Sequence, residues 1–549
     1  MFADVFRLSK MTIVLALAAP LLSFILVLHL LRGVAPPPAL LAQPVAGGPN
    51  CRYGVGVVPQ FPAVDWIPTL GAGWYMTFSA WPPASPPANA ARFVPTVRVR
   101  QDVSDGLYLP SYRFTPPLSD QGLGAMLAAH PGRLWLIGNE VDVGNVVQDN
   151  TYPAVYAHAY HEAYHYIKQR DPSAQVAIAP LSMMTPGRLQ YLDIVWRTYL
   201  ESYKMPMPVD VWTLHLYVLA EIRPWDGRDA DGKIALGTDP ALAKEAYWSA
   251  RGPALVECAR DEVICRAEHD SLPRFIEQIL ALRRWMQAHG QQDKPLLLSE
   301  FALLYPFVDY DDPVDPTECF LMDEFGNCFT PNRVQRYLEQ TFAFLHAARD
   351  AGLGYPADDY RLVQQWLWYS LITDPEWSGG SSSLLVQDYA TYPPGAAAAL
   401  SQVGHAYRDA VLAQPLEVNL RVGAAQTAVV RLDPPAQTVT ATLRVDFVNN
   451  GNTAITQPFR VTFYADAALT QTIGSVDVDP PIDGCAGRVY AVSLLWEGLP
   501  VGTHPYWVKV DSAHAIEESN ESVADNVSRG AVIVSPTTRY LPLILRAPG

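Results

Sequence analysis

The sequence predicts an α/β chain in which a (β/α)8 TIM barrel is followed by an all-β immunoglobulin-like sandwich and preceded by an N-terminal transmembrane helix. Three observations carry this expectation. Short apolar runs alternate with helix-period segments from about Cys51 to Leu412; from about Gln414 the texture changes to alternating Val, Thr and aromatic residues between Asn-Gly and Pro-rich turns; and an unbroken apolar run, Met11 to Leu31, stands near the start.

Taken in order, the apolar run follows Arg7 and Lys10 and is closed by Arg32. At about 1.5 Å per residue it is long enough for a hydrocarbon core of about 30 Å. Residues 1–32 therefore read as an uncleaved signal anchor with the two cations inside, cleavage near "ALLAQ" being the alternative. Either way the remainder is expected outside the cytoplasm, at the cell surface or secreted. Residues 33–50 form a Pro-rich linker.

Residues 51–412 hold the apolar runs "YGVGVV", "AGWYMTFSA", "FVPTVRV", "LWLIGNE", "VAIAP", "VDVWTLHLY", "KPLLLSEFAL" and "LVQQWLWYSLI". Helical segments such as "LPRFIEQILALRRWMQAHG" lie between them, which fits a (β/α)8 barrel with long loops. A doubly wound sheet is the runner-up. Residues 413–536 form the sandwich and 537–549 a short tail.

The formal charge of -16 argues against nucleic acid as a partner and favours a neutral ligand. Of six cysteines, 258 with 265 and 319 with 328 are spaced as local staples, and an exported chain permits their oxidation. No C-x-x-C occurs, so neither a zinc ribbon nor a redox motif is signalled.

One motif has to be weighed. "YHEAYHYI" places His161, Glu162 and His165 in the H-E-x-x-H spacing of zinc proteases. On the helix around it, Tyr156, Tyr160, Ala163, Tyr164 and Ile167 form the core face, whereas His158, His161 and His165 fall on the opposite side, expected to face water. No downstream histidine supplies a third ligand at a recognisable spacing, so a zinc protease is not expected.

The better chemistry lies at strand ends, where a barrel builds its active site. Glu140 ends "LWLIGNE" and Glu300 ends "KPLLLSE", each after an apolar run where an ionised carboxylate is expensive unless it has partners or a task. Two such groups at one mouth are what glycoside cleavage needs: one protonated to assist the leaving oxygen, one ionised to attack or to activate water.

The Gly-Asn-Glu on the fourth strand, the Glu on the seventh, and the His and aromatic residues on the sixth and eighth resemble clan A retaining glycoside hydrolases, in particular cellulase-like or Asl1-like bacterial members. That resemblance implies Glu140 as acid/base, Glu300 as nucleophile and Asn139 as the partner of the sugar 2-hydroxyl. It also implies His215 or Tyr217 as the residue orienting a carboxylate, Trp366 or Trp368 as the sugar platform, and Arg98 or Arg100 as the partner of the nucleophile. Alternation alone does not say which of each pair faces inward. Where many such enzymes read Asn-Glu-Pro, this chain reads Asn-Glu-Val-Asp.

In the second domain "VNNGN", "FRVTFYAD" and "EESNES" resemble the CARDB domain, a spacer or adhesion module; the acidic stretch reads as a solvated turn. The expected protein is thus a monomeric, exported, membrane-anchored glycoside hydrolase acting on oligo- or polysaccharide, a chemistry that implies no metal and no organic cofactor. The alternative is a surface carbohydrate-binding or adhesion protein that keeps the barrel without turnover. The insert from Pro306 to Pro331, carrying Cys319 and Cys328, is expected to shape the cleft.

Overall fold

The computed structural model describes residues 48–144, 147–219, 221, 234–243, 265–307, 319, 322–433 and 437–535. The expected anchor, most of the linker, the C-terminal tail and much of the 306–331 insert lie outside these residues. Among the described residues no helix is long and apolar enough to cross a membrane.

The first ten strands are β1 (Asn50–Gly56), β2 (Ala72–Met76), β3 (Arg92–Phe93), β4 (Thr96–Ser104), β5 (Leu107–Thr115), β6 (Leu134–Ile137), β7 (Gln175–Ile178), β8 (Trp212–His215), β9 (Leu296–Phe301) and β10 (Gln365–Trp368). The helices among and after them are α1 (Ile67–Leu70), α2 (Ala125–Ala129), α3 (Pro153–Arg170), α4 (Pro186–Tyr203), α5 (Leu272–Ala288), α6 (Pro331–Ala347) and α7 (Gln402–Leu412). Proline opens α3, α4 and α6 at the first helical position, where its missing N–H is no loss.

The parallel strands close a barrel-like ring. β1 pairs with β2 and β10, β10 with β9, and β9 with β8. A bridge between Ala177 and Val211 links β7 to β8, and β7 pairs with β6. β3 on β2 and β4 on β6 are two halves of the third position. The doubly wound alternative does not hold. A feature without a sequence expectation is β5, which folds back antiparallel on β4 as a long hairpin.

Alternation sorts the side chains. Trp74, Met76, Leu134, Leu136, Leu297 and Leu367 fill the inside of the ring. Gly54 faces Trp74 there, and a Cβ at this position would lie 2.5 Å from the indole. The intervening residues, such as Trp135, Ile137, Leu296 and Leu298, pack under the helices.

The second domain has two antiparallel sheets. β11 (Leu420–Asp433), β12 (Thr438–Asn449) and β15 (Tyr490–Leu499) form one, while β13 (Phe459–Tyr464), β14 (Thr472–Val478), β16 (Gly502–Lys509) and β17 (Val527–Val534) form the other. Their inward residues, among them Leu443, Val445, Phe447, Val461, Phe463 and Val508, make one core.

This domain docks on the N-terminal ends of the ring strands. Cys51 in β1 is disulfide-bonded to Cys485, across 434 residues of sequence. Arg52 donates to the Asn450 carbonyl, Gln175 to the Gly487 carbonyl, and Arg488 to the carbonyls of Gly132 and Ser173. Asp359 accepts from Arg421 and Asn450. The Cys319–Cys328 disulfide is present. Cys265 is also disulfide-bonded, while Cys258 lies outside the described residues.

The H-E-x-x-H helix, α3, differs from expectation on one side. His161 and His165 do not face open water: His161 stacks on Tyr203 of α4 with ring centroids 3.5 Å apart, and its Nδ1 meets Tyr199 Oη at 2.9 Å. The reason is lateral packing, since an outer helix has neighbours beside it as well as beneath. Glu162 accepts from Tyr112 of the β5 hairpin.

Candidate active site

Glu140, His215 and Glu300 meet at the C-terminal ends of β6, β8 and β9. One donor atom from each lies within 4.8 Å of the others, the one such group of potential metal ligands among the described residues. All three are buried.

Each reaches the site by a local device. Along β9, strict alternation would send Glu300 outward with Leu296 and Leu298. The register shifts by one residue after Leu298 against both neighbouring strands, so Glu300 sits opposite His215 while Phe301 turns under the helices. After β6, Gly138 and Glu140 both adopt positive φ, 99° and 47°, bracketing Asn139. A β-carbon on Gly138 would come 2.8 Å from Val141 Cγ1. On β8 the alternation is regular: Trp212 and Leu214 face the helices, and His215 and then Tyr217 face the mouth.

His215 Nδ1 donates to Glu140 Oε1 at 2.9 Å and stands 3.6 Å from Glu300 Oε2, while its Nε2 is buried without a partner. Tyr217 Oη donates to Glu300 Oε1. The two residues that sequence left as alternatives thus hold one carboxylate each.

Burial raises Glu300 to about 7; the charge of Glu140 adds to this, while His215, the Tyr217 hydroxyl and Arg98 oppose it. For His215 burial acts downward, but the carboxylates of Glu300 and Glu140 outweigh it and raise its pKa.

The donor set suits a divalent cation poorly. The Nδ1 of His215, which lies between the two carboxylates, is engaged with Glu140.

The other expected residues fall as follows. Asn139 donates from Nδ2 to Gln148, and its Oδ1 is buried without a hydrogen-bond partner. Arg98 pairs with Asp149, with Nε 2.5 Å from Oδ1, rather than with Glu300. Trp366 is not a platform. It is wholly buried in the outer layer, ring against Tyr53 at 4.9 Å, and Trp368 packs outward on Phe301. The inward residues of β10 are Gln365 and Leu367, so the aromatic that reaches the mouth is the next in alternation, Tyr369. Burial raises its pKa first and the charges of Glu300 and Glu140 add to that, which places its hydroxyl within the field of both. Carrying the alternation one step past the strand would have found it.

Buried charge behind the site was not anticipated. Asp142 accepts from Ser182 Oγ at 2.8 Å and Arg188 Nε at 3.0 Å, and Arg188 also pairs with Glu221.

No family model matches the chain, and no curated protein matches it. Among solved structures it is similar to a GH128 (subgroup I) endo-β-1,3-glucanase from Amycolatopsis mediterranei, with 14% identity and a TM-score of 0.37 over 65% of this chain and 99% of that one. The CARDB domain of a Pyrococcus furiosus protein matches 22% of this chain and 94% of its own, at 18% identity and a TM-score of 0.17. A Bacteroides uniformis β-glucuronidase matches 88% of this chain but 46% of its own, at 11% identity and a TM-score of 0.34.

Proposed function

We propose that the protein is an exported glycoside hydrolase that cleaves β-linked glycans with retention of configuration, Glu140 acting as acid/base and Glu300 as nucleophile. The observation that carries this reading is the spacing of the two carboxylates, whose nearest donor atoms lie within 4.8 Å on either side of His215. Retaining enzymes hold the pair about 5 Å apart, whereas inverting ones leave about 6.5–9.5 Å for a water.

Glu140 gives its proton to the leaving oxygen as Glu300 attacks the anomeric carbon, the glycosidic bond breaks, and a glycosyl ester forms on Glu300. Glu140, now ionised, takes a proton from water, and the hydroxide equivalent releases the sugar. Tyr217 steadies the ionised Glu300, and His215 keeps the two carboxyl groups apart while donating to Glu140. Asn139 Oδ1 accepts from the sugar 2-hydroxyl, and Tyr369 lines the mouth. Disulfides in the folded domains accord with export.

Azide rescue tests the roles. Glu140→Ala should regain turnover of an activated aryl glycoside with azide and give a glycosyl azide of retained configuration. Glu300→Ala should give the inverted azide. The opposite pattern would exchange the roles, and unaided turnover in both variants would end the proposal.

A further inference from the structure

Asp149 is wholly buried at the far end of the loop that leaves the site. Its Oδ2 accepts from the backbone N–H of Asn139 at 2.8 Å and of Val99 at 2.9 Å. Its own N–H returns to the Asn139 carbonyl at 3.2 Å, and Oδ1 pairs with Arg98 at 2.5 Å. Asn139 sits between two residues at positive φ, so its backbone is the pivot of the turn that aims Asn139 and Glu140 into the cleft. The carboxylate therefore spans the third strand position, the turn after β6 and one of the two cations, Arg98 and His215, that act on Glu300.

We infer that Asp149 is a positioning residue for the reaction proposed above: it fixes the Gly138–Glu140 turn and neutralises Arg98, so that Glu300 is governed by its partners within the cleft. The inference rests on that functional reading. It assigns Arg98 a task other than direct pairing with the nucleophile. Asn, of the same shape, cannot replace Asp149, because an amide offers one acceptor oxygen and removes the negative charge opposite the guanidinium.

The groups facing Glu300 are His215 and Tyr217 from β8 and the segment after it, Glu140 from the turn after β6, Arg98 from β4 and Tyr369 from beyond β10. In Asp149→Asn the unbalanced Arg98 should favour ionised Glu300. The Glu300 limb of the pH–rate profile should then move to lower pH and kcat should fall by about tenfold, with KM nearly unchanged. Arg98→Met should move the limb upward. Arg98→Met/Asp149→Asn, which buries no unpaired charge, should return the limb to its parent position while kcat stays low.

The same titration can be followed without turnover, as the part of the Tm-versus-pH slope that Glu300→Gln abolishes. It should end at lower pH in Asp149→Asn. Profiles of all three variants superimposing on the parent, by either readout, would reduce Asp149 to a structural ion pair. A parent inactive on every glycoside would overturn the functional reading instead, with the Tm series still deciding the role of Asp149.

Discussion

Burial gives Glu300 a pH-dependent share in stability. A carboxyl whose pKa is higher in the folded than in the unfolded chain binds its proton more firmly when folded, so its contribution to stability is complete below about 4.5 and is lost as pH rises through about 7. Tm should therefore decline across that window, and Glu300→Gln should flatten the decline. Glu518 of the sandwich, also raised to about 7 by burial, titrates in the same direction, which makes the comparison with the variant necessary. Tyr217→Phe removes a donor to ionised Glu300, so the corresponding limb of the pH–rate profile should move to higher pH and kcat should fall by roughly 10- to 100-fold. Glu140 and Glu300 were singled out in sequence because each ends an apolar run, and His215 or Tyr217 as alternatives implied by the resemblance; the structure brings all four together. Arg98 or Arg100 was expected to partner Glu300, whereas Arg98 pairs with Asp149, which lies in a loop with no periodic pattern.

At the scale of elements, the gap between sequence and structure is the departure from alternation. The eight apolar runs show where strands lie, but the inserted residue in β9 is invisible in "LLLSEF", and without it Glu300 would pack beneath α5 and α6. The same rule, followed strictly on β10, excludes Trp366 and Trp368, since the inward residues of that strand are Gln365 and Leu367. The turn after β6 depends on Gly138 at φ 99°. Gly138→Ala places a methyl 2.8 Å from Val141 Cγ1 and forces a side chain into the left-handed region. A loss of about 1–3 kcal/mol is expected, together with reduced turnover from a displaced Glu140, measured by thermal melting and hydrolysis in parallel.

Over the whole molecule, the described residues of the two folded domains meet at the end of the ring opposite the carboxylates. Cys51, Arg52 and Gln175 stand at strand starts, whereas Glu140, His215 and Glu300 stand at strand ends or just beyond. The second domain therefore closes the base of the barrel, away from the carboxylates. Removing the long-range crosslink with Cys51→Ala/Cys485→Ala should lower stability by about 2–5 kcal/mol and leave kcat within about twofold of the parent. A matching loss of kcat in the melted-out range alone would agree with this, whereas a fall at temperatures where the variant is fully folded would show the two ends to be coupled. The sequence pairing of cysteines by proximity found 319 with 328 but not 51 with 485, because chain separation says nothing about which strand start a distant loop will cover.

In the proposed function Glu140 and Glu300 act as a retaining pair. Its most direct test is hydrolysis by the purified protein of a panel of β-linked polysaccharides, a β-1,3-glucan among them, and aryl β-glycosides, with the first-formed anomer followed by proton NMR and Glu140→Gln and Glu300→Gln measured alongside. The expected result is turnover that yields the β-anomer first and falls by at least about 10²-fold in each variant. First formation of the α-anomer would contradict the retaining mechanism, and undiminished turnover in either variant would contradict the assignment of the pair. Sugar binding without hydrolysis by the parent would make the barrel a binding scaffold.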